Sequence, residues 1–392
     1  MDARINPYAP GAGTPPPELS GRDELLERAS IALDRIRAGR AARSLILYGL
    51  RGVGKTVLLN KMKVEADAQG FSTAWIEAPE NRSLPAMLGP VLRGTLLKLD
   101  RIEATRDSAK RALRALAGFA KLKVTYGDVA FGIDLEPEAG LADSGDLDTD
   151  LGELLVAVGE ATKDRGTALV LFVDELQYVK EDQLASLISA LHGANQRQLP
   201  VTMVAAGLPQ VLAQSGRAKS YAERLFEFVP VDRLDDASAT EALVGPALRE
   251  QVRYEAAALA EILEQSQGYP YFLQEWGKHC WNCAASSPIT GDDAVAATEA
   301  ALAELDASFF RLRFDLLTPS EKRYMRAMAE LGQGPHRSGD IAAVMNRQVT
   351  SVAPVRNGLI AKNLLFSPGH GDTAFTVPLF DGFMRRIMPQ LD

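Results

Sequence analysis

Apolar residues recur along this chain in two rhythms. Near-continuous apolar runs, as in Leu45-Ile46-Leu47-Tyr48, Ala168-Leu169-Val170-Leu171-Phe172-Val173 and Val201-Thr202-Met203-Val204-Ala205-Ala206, predict strands buried on both faces of a parallel sheet. Between them the apolar positions fall three and four apart. Leu25, Leu26, Ala29, Leu33 and Ile36 predict a first helix ending near Arg37, with Ser20 as N-cap. Further helices are expected over about residues 84–99, 102–122, 147–163 and 184–197, and a strand over 70–77. Strand and helix in alternation imply crossover connections and an α/β fold. Residues 121–135 alternate instead, with Val124, Tyr126, Val129, Phe131, Ile133 and Leu135 around Gly127-Asp128, which predicts a β-hairpin.

The pattern changes beyond residue 235. Residues 235–305 keep a helical period and are rich in alanine, interrupted at Gly268-Tyr269-Pro270, where a new helix is expected to start on proline. Helices over about 320–331, 337–345 and 349–363 are followed by two strands around a turn within 366–377. Three helices and such a wing predict a winged helix-turn-helix. Residues 1–20, with Pro7, Pro10 and Pro15-Pro16-Pro17, read as an extended arm without packing of its own.

Composition changes this picture little. At 46% apolar and 24% charged, the chain has the make-up of an ordinary globular protein. No apolar run has the length a membrane-spanning helix needs, and residues 1–7 lack an apolar signal core, so a cytoplasmic location without membrane contact is the expectation. The net charge of −8 argues against a protein coated in positive charge. The segment from Leu305 onward nevertheless carries more Lys and Arg than Asp and Glu, so a basic surface there is compatible with nucleic acid. Cys280 and Cys283 form a lone C-x-x-C on a predicted helix, with no second pair to complete a zinc site, and read as buried thiols. The acidic loop around 143–148 and the basic side of 102–122 read as solvated faces.

Two motifs carry chemistry. Residues 49–56, Gly-Leu-Arg-Gly-Val-Gly-Lys-Thr, fit G-x-x-x-x-G-K-[ST] between a strand and a helix. Glycines let backbone N–H groups turn inward around phosphates, and the following helix directs its positive end at the same place. Gly49, Arg51, Gly52, Val53, Gly54, Lys55, Thr56 and Val57 are therefore the expected nucleotide-binding residues, with Lys55 reaching the β- and γ-phosphates and Thr56 ligating Mg²⁺. The strand at 168–173 ends in Asp174-Glu175. Asp174 is suited to hold Mg²⁺ and Glu175 to polarise the water that attacks the γ-phosphate. ATP and Mg²⁺ are the expected cofactors, and ATP hydrolysis the expected reaction.

With these pieces in order, the chain resembles the AAA+-like ATPases of the STAND and archaeal-type group, which are similar to origin-recognition initiator ATPases. The resemblance runs from Gly21-Arg22-Asp23-Glu24-Leu25 to the C-terminus. It implies an ATPase core over 21–234 with an elaboration at 80–165, a helical lid over 235–305 and a winged-helix domain over 306–392. It also implies that Arg22 lies in the segment flanking adenine, that Pro270 in Gly268-Tyr269-Pro270 belongs to a lid motif against the nucleotide, and that Arg224 reaches a γ-phosphate, often across a subunit interface in a nucleotide-dependent homo-oligomer. The sequence departs from the family twice. Ala205-Ala206-Gly207 brings no polar side chain to the end of its strand, so the group that would position water is missing or supplied elsewhere. Tyr271 and Phe272 stand where initiators commonly carry an arginine. Both departures imply slow, switch-like hydrolysis.

Two outputs follow from this reading. In one, ATP and ADP states control duplex DNA binding through Arg347, Arg356, Asn357 and Lys362, in and near the third C-terminal helix. In the other, the winged helix and the elaboration dock protein partners in a regulatory or signalling ATPase.

Overall fold

The computed structural model describes the chain except for residues 12, 15, 17, 18, 102–105, 121–135 and 392; the expected hairpin at 121–135 lies outside the described residues. The chain divides into two compact units. One comprises Asp23–Tyr48 and Lys55–Pro230, the other Met1–Arg22, Gly49–Gly54 and Val231–Asp392.

The first unit is built on a five-stranded sheet. In chain order its elements are α1 (Asp23–Arg37), β1 (Ser44–Tyr48), α2 (Lys55–Ala68), β2 (Ser72–Glu77), α3 (Leu84–Asp100), α4 (Arg106–Phe119), α5 (Leu147–Asp164), β3 (Leu169–Asp174), α6 (Glu181–Gln196), β4 (Val201–Gly207), α7 (Val211–Ala218), α8 (Ala222–Leu225) and β5 (Phe226–Pro230). The strands are all parallel in the order β2-β3-β4-β1-β5. Every residue of β3 and β4 is buried, which explains their unbroken apolar runs. Leu84, Leu88, Leu92 and Leu96 of α3 and Leu151, Leu154, Leu155 and Val158 of α5 join the same core. The register aligns Tyr48 with Gly207 and Val173 with Ala205, so β1, β3 and β4 finish at one edge of the sheet. That edge is where α/β sheets place ligands.

The acidic loop before α5 is not only a solvated face. Asp150 is fully buried, and its carboxylate accepts from Ser144 N, Ser144 Oγ and Gly145 N at 2.7 to 3.0 Å. Asp146 caps α5 by accepting from Thr149 N at 2.9 Å. These acids are spent on folding the turn.

The second unit holds α9 (Asp236–Arg249), α10 (Ala256–Ser266), α11 (Pro270–Cys283), α12 (Gly291–Ala307), α13 (Arg311–Asp315), α14 (Pro319–Glu330), β6 (His336–Arg337), α15 (Ser338–Val344), α16 (Val349–Ala361), β7 (Leu365–Phe366), β8 (Asp372–Phe375) and α17 (Phe380–Ile387). The three short strands pair antiparallel in the order β6-β8-β7. Capping boxes start α12 at Thr290/Asp293 and α14 at Thr318/Glu321. One apolar core runs through the whole unit, from Leu243, Phe272 and Trp276 to Phe310, Phe380 and Phe383.

The N-terminal segment differs from a free arm. Residues Ala3–Ile5 form a 3-10 turn, Tyr8 is 3% exposed, and Trp281 Nε1 donates to Asp2 O at 3.0 Å. The Tyr8 hydroxyl donates to Leu243 O and accepts from Tyr254 at 2.8 Å. Gly277 makes room for this ring, since a Cβ there would lie 2.7 Å from it. The cysteines also differ from expectation, because Cys280 is buried while Cys283 is exposed. Among the described residues no helix is long and apolar enough to cross a membrane.

Candidate nucleotide site

The loop of residues 49–54 takes the shape its glycines permit. Gly52 and Gly54 have φ of 81° and 88°, in the left-handed region that favours glycine. Gly49 is glycine because of a close approach: a Cβ there would meet Val231 O at 2.0 Å. The loop is gripped by three partners far away in the chain. Arg51 N donates to Thr376 O at 2.9 Å, and Tyr271 N donates to Gly52 O at 3.1 Å. The Arg22 guanidinium donates to Val53 O at 3.2 Å and to Asp232 O at 2.5 Å.

Arg22 is only 9% exposed, and burial pushes its guanidinium below the usual range, opposed by Asp232 and Asp235. The residue expected to flank adenine is thus bonded to the backbone of the phosphate loop. Pro270 opens α11, as its motif suggested, and places Tyr271 on the loop; a Cβ on Gly52 would lie 3.2 Å from that of Tyr271. The sequence singled out Tyr271 only as a departure from the initiator pattern and Thr376 not at all, because such pairings have no period.

Lys55 begins α2 directly after the loop. Thr56 lies one residue on and its hydroxyl bonds to Asp174, the last residue of β3. Asp174 is 3% exposed. Burial raises its carboxyl above the ordinary value; the Thr56 hydroxyl, Glu175 N and Lys55 pull the other way, and the Glu175 charge adds to the rise. A buried acid short of compensating charge, beside a hydroxyl, is a pair of hard oxygen donors that suits Mg²⁺. Glu175 follows in the left-handed conformation, φ 53° and ψ 41°, and is half-buried. Its amide donates to Asp174 Oδ1 at 2.9 Å.

The bare end of β4 is filled from elsewhere. Gln177 is 9% exposed; its Oε1 accepts from Leu208 N at 3.0 Å and its Nε2 donates to Glu175 Oε2. A polar side chain therefore does stand at Gly207, supplied by the turn after β3.

Arg224 is exposed on α8 and lines a cavity of about 730 Å³ with Glu24, Arg28, Arg35, Arg43 and Glu227. Arg28 and Arg43 lie 3.3 and 3.7 Å from Glu227, so the cavity is already charge-paired. In the C-terminal region Arg347 and Asn357 are exposed. Arg356 instead donates to Thr373 Oγ1, Ser367 Oγ and Asp372 O, and Lys362 to Glu321 and Leu316 O. Glu275, His279 and Glu304 also converge, but Lys278 Nζ stands 2.6 Å from Glu304 and 3.6 Å from Glu275, so that cluster contains its own cation.

Residues 18–204 match a family model described as an AAA ATPase domain, and residues 307–384 match one described as a domain of unknown function. No curated protein matches the sequence. Among solved structures, a Walker-type ATPase of Pyrococcus abyssi is similar over 95% of this chain and 97% of its own, at 17% identity and a TM-score of 0.57. The Thermotoga maritima RuvB Holliday junction branch migration motor is similar over 94% and 95%, at 17% identity and a TM-score of 0.44. The Orc1 protein of Aeropyrum pernix, solved in complex with DNA, is similar over 95% and 94%, at 14% identity and a TM-score of 0.47. The chain thus holds a parallel α/β sheet in a fold shared with the Pyrococcus protein, and residues 18–204 match the AAA ATPase domain model.

Proposed function

We propose that this protein is a slow, Mg²⁺-dependent ATPase that works as a conformational switch. The observation that carries this reading is the Thr56–Asp174 hydrogen bond at the end of a buried strand, with Glu175 next in the chain. Lys55 and the loop amides from Gly52 to Val57 bind the phosphates. Thr56 and Asp174 are the residues that would hold Mg²⁺, which supplies charge neutralisation on the phosphates when bound. Glu175 orients a water whose oxygen bonds to the γ-phosphorus as the bond from that phosphorus to the β,γ-bridging oxygen breaks. The electron pair of the broken bond leaves with ADP, and the water proton passes to the Glu175 carboxylate and then to solvent. Arg224 is the arginine available to stabilise transition-state charge, in cis or from another copy.

The switch acts through the loop itself. Its carbonyls at Gly52 and Val53 and its amide at Arg51 are bonded to Tyr271, Arg22 and Thr376, so a change in loop conformation is felt in the helical and C-terminal regions. The helices α14, α15 and α16 with the β6-β8-β7 sheet form the winged-helix output, which contacts duplex DNA through Arg347 and Asn357. Arg356 and Lys362 are committed to intramolecular bonds, and this favours a second reading in which the same domain docks a protein in a STAND-like regulator. ATPase rate and particle size, measured with and without duplex DNA, test both. Stimulation by DNA that fades with added salt supports the first; ATP-dependent turnover indifferent to DNA, with a nucleotide-dependent protein complex, supports the second.

A further inference from the structure

We infer that Gln177 is a positioning residue for Glu175, holding the hydrolytic carboxylate in one orientation and tying it to the end of β4. The inference rests on the ATPase reading above and adds to it a residue that no motif assigns.

Three observations converge on it. First, Glu175 is a non-glycine residue in the left-handed region, a strained conformation that persists only where surrounding bonds enforce it. Its own carbonyl accepts from Tyr178 N at 3.0 Å and its amide donates to Asp174, which fixes the backbone but leaves the side chain's torsions open. Gln177 closes them by donating Nε2 to Glu175 Oε2.

Second, the other end of the Gln177 amide is anchored. Oε1 accepts from Leu208 N at 3.0 Å in a buried position, so the group cannot turn without leaving a buried backbone donor unsatisfied. The segments on either side are themselves braced, since Gln214 Nε2 donates to Val179 O at 2.6 Å. Third, the space is reserved: a Cβ on Gly207 would stand 3.0 Å from Gln177 Oε1. The strand end that lacks a polar side chain is the strand end that admits this one.

The chemical consequence is a division of labour within one carboxylate. Oε2 is committed to the amide, and Oε1 is left to accept from water. An amide neither gives nor takes a proton in the reaction, so Gln177 sets direction and does not relay protons. Because its second bond is to Leu208, movement at the end of β4 reaches Glu175 through a single side chain.

The test uses the full chain and single-turnover hydrolysis of Mg²⁺-ATP, with the dissociation constant of a fluorescent ATP analogue measured in parallel. Gln177→Leu removes both bonds; Gln177→Glu keeps the shape and the acceptor for Leu208 N while losing the donor. Both should slow hydrolysis by about 10- to 100-fold with nucleotide affinity unchanged. In a Glu175→Gln background, Gln177→Leu should cost nothing further, because the group it positions is already disabled. The inference is overturned if Gln177→Glu turns over at the wild-type rate, if Gln177→Leu slows both backgrounds equally, or if affinity falls in step with rate. A wild-type protein that binds the analogue without hydrolysing ATP overturns the ATPase reading and this inference together, an outcome visible before any variant is compared.

Discussion

The end of β3 and helix α16 both present polar side chains, and they use them in opposite ways. At the end of β3, Asp174, Glu175 and Gln177 are bonded to one another, to Thr56 and to the backbone just after β4. Along α16, Arg356 ties the helix to Thr373, Ser367 and Asp372, and Lys362 ties the segment beyond it to Glu321, the capping residue of α14. In the function proposed above, charge at the first place serves a reaction; much of the charge at the second is consumed by the fold. A basic count in a sequence therefore says little by itself about a nucleic-acid surface.

This contrast can be broken most severely at the loop. Gly49→Ala puts a Cβ against Val231 O, so the loop must open; ATP affinity should fall at least 100-fold, about 2.7 kcal/mol, as read by nucleotide titration. Retained affinity would mean that the loop does not need the shape seen here. Arg22→Met comes next. It leaves the buried carbonyl of Val53 and the part-buried carbonyl of Asp232 without their donor, and should cost about 1–3 kcal/mol in chemical denaturation, with weaker ATP binding.

The C-terminal side of the comparison is sharpened by a pair of variants. Arg356→Ala should lower stability by about 1–2 kcal/mol, while Arg347→Ala leaves stability unchanged and weakens any DNA binding. If Arg356→Ala weakened DNA binding without touching stability, the structural role assigned to Arg356 would be wrong. The smallest effect concerns the thiols. Burial pushes the Cys280 thiol up to about 12, with Cys283, Asp293 and Glu261 adding to the rise, so it stays protonated at a working pH of about 8. A thiol reagent there should modify Cys283 alone in the folded protein and both cysteines after denaturation, checked by mass spectrometry.

Much of this was legible beforehand, for a physical reason. Strands buried on both faces must be apolar throughout, so β1, β3 and β4 announced themselves, and β3 announced its terminal acids. The phosphate loop was legible because positive φ at Gly52 and Gly54 demands glycine at fixed spacing. Helix α3, expected over 84–99, is Leu84–Asp100, and α16, expected over 349–363, stops at Ala361, where Lys362 turns to Glu321. What was not legible depends on contacts between distant segments. Gln177 looked like any polar residue in a turn until Gly207 proved to leave space for it. Tyr271 stood out only as a departure from the initiator pattern, and Tyr8 as part of a proline-rich arm, although one bonds the loop and the other is buried against α11 through Gly277.

The central claim is that Glu175 turns a phosphate loop into an ATPase. Single-turnover phosphate release from Mg²⁺-ATP by the full chain and by its Glu175→Gln variant tests it most directly, with bound nucleotide measured in the same samples. Slow release by the wild type, reduced by about 100-fold or more in the variant while ATP stays bound, is the predicted result. Equal release by the two proteins, or none from either, would contradict it.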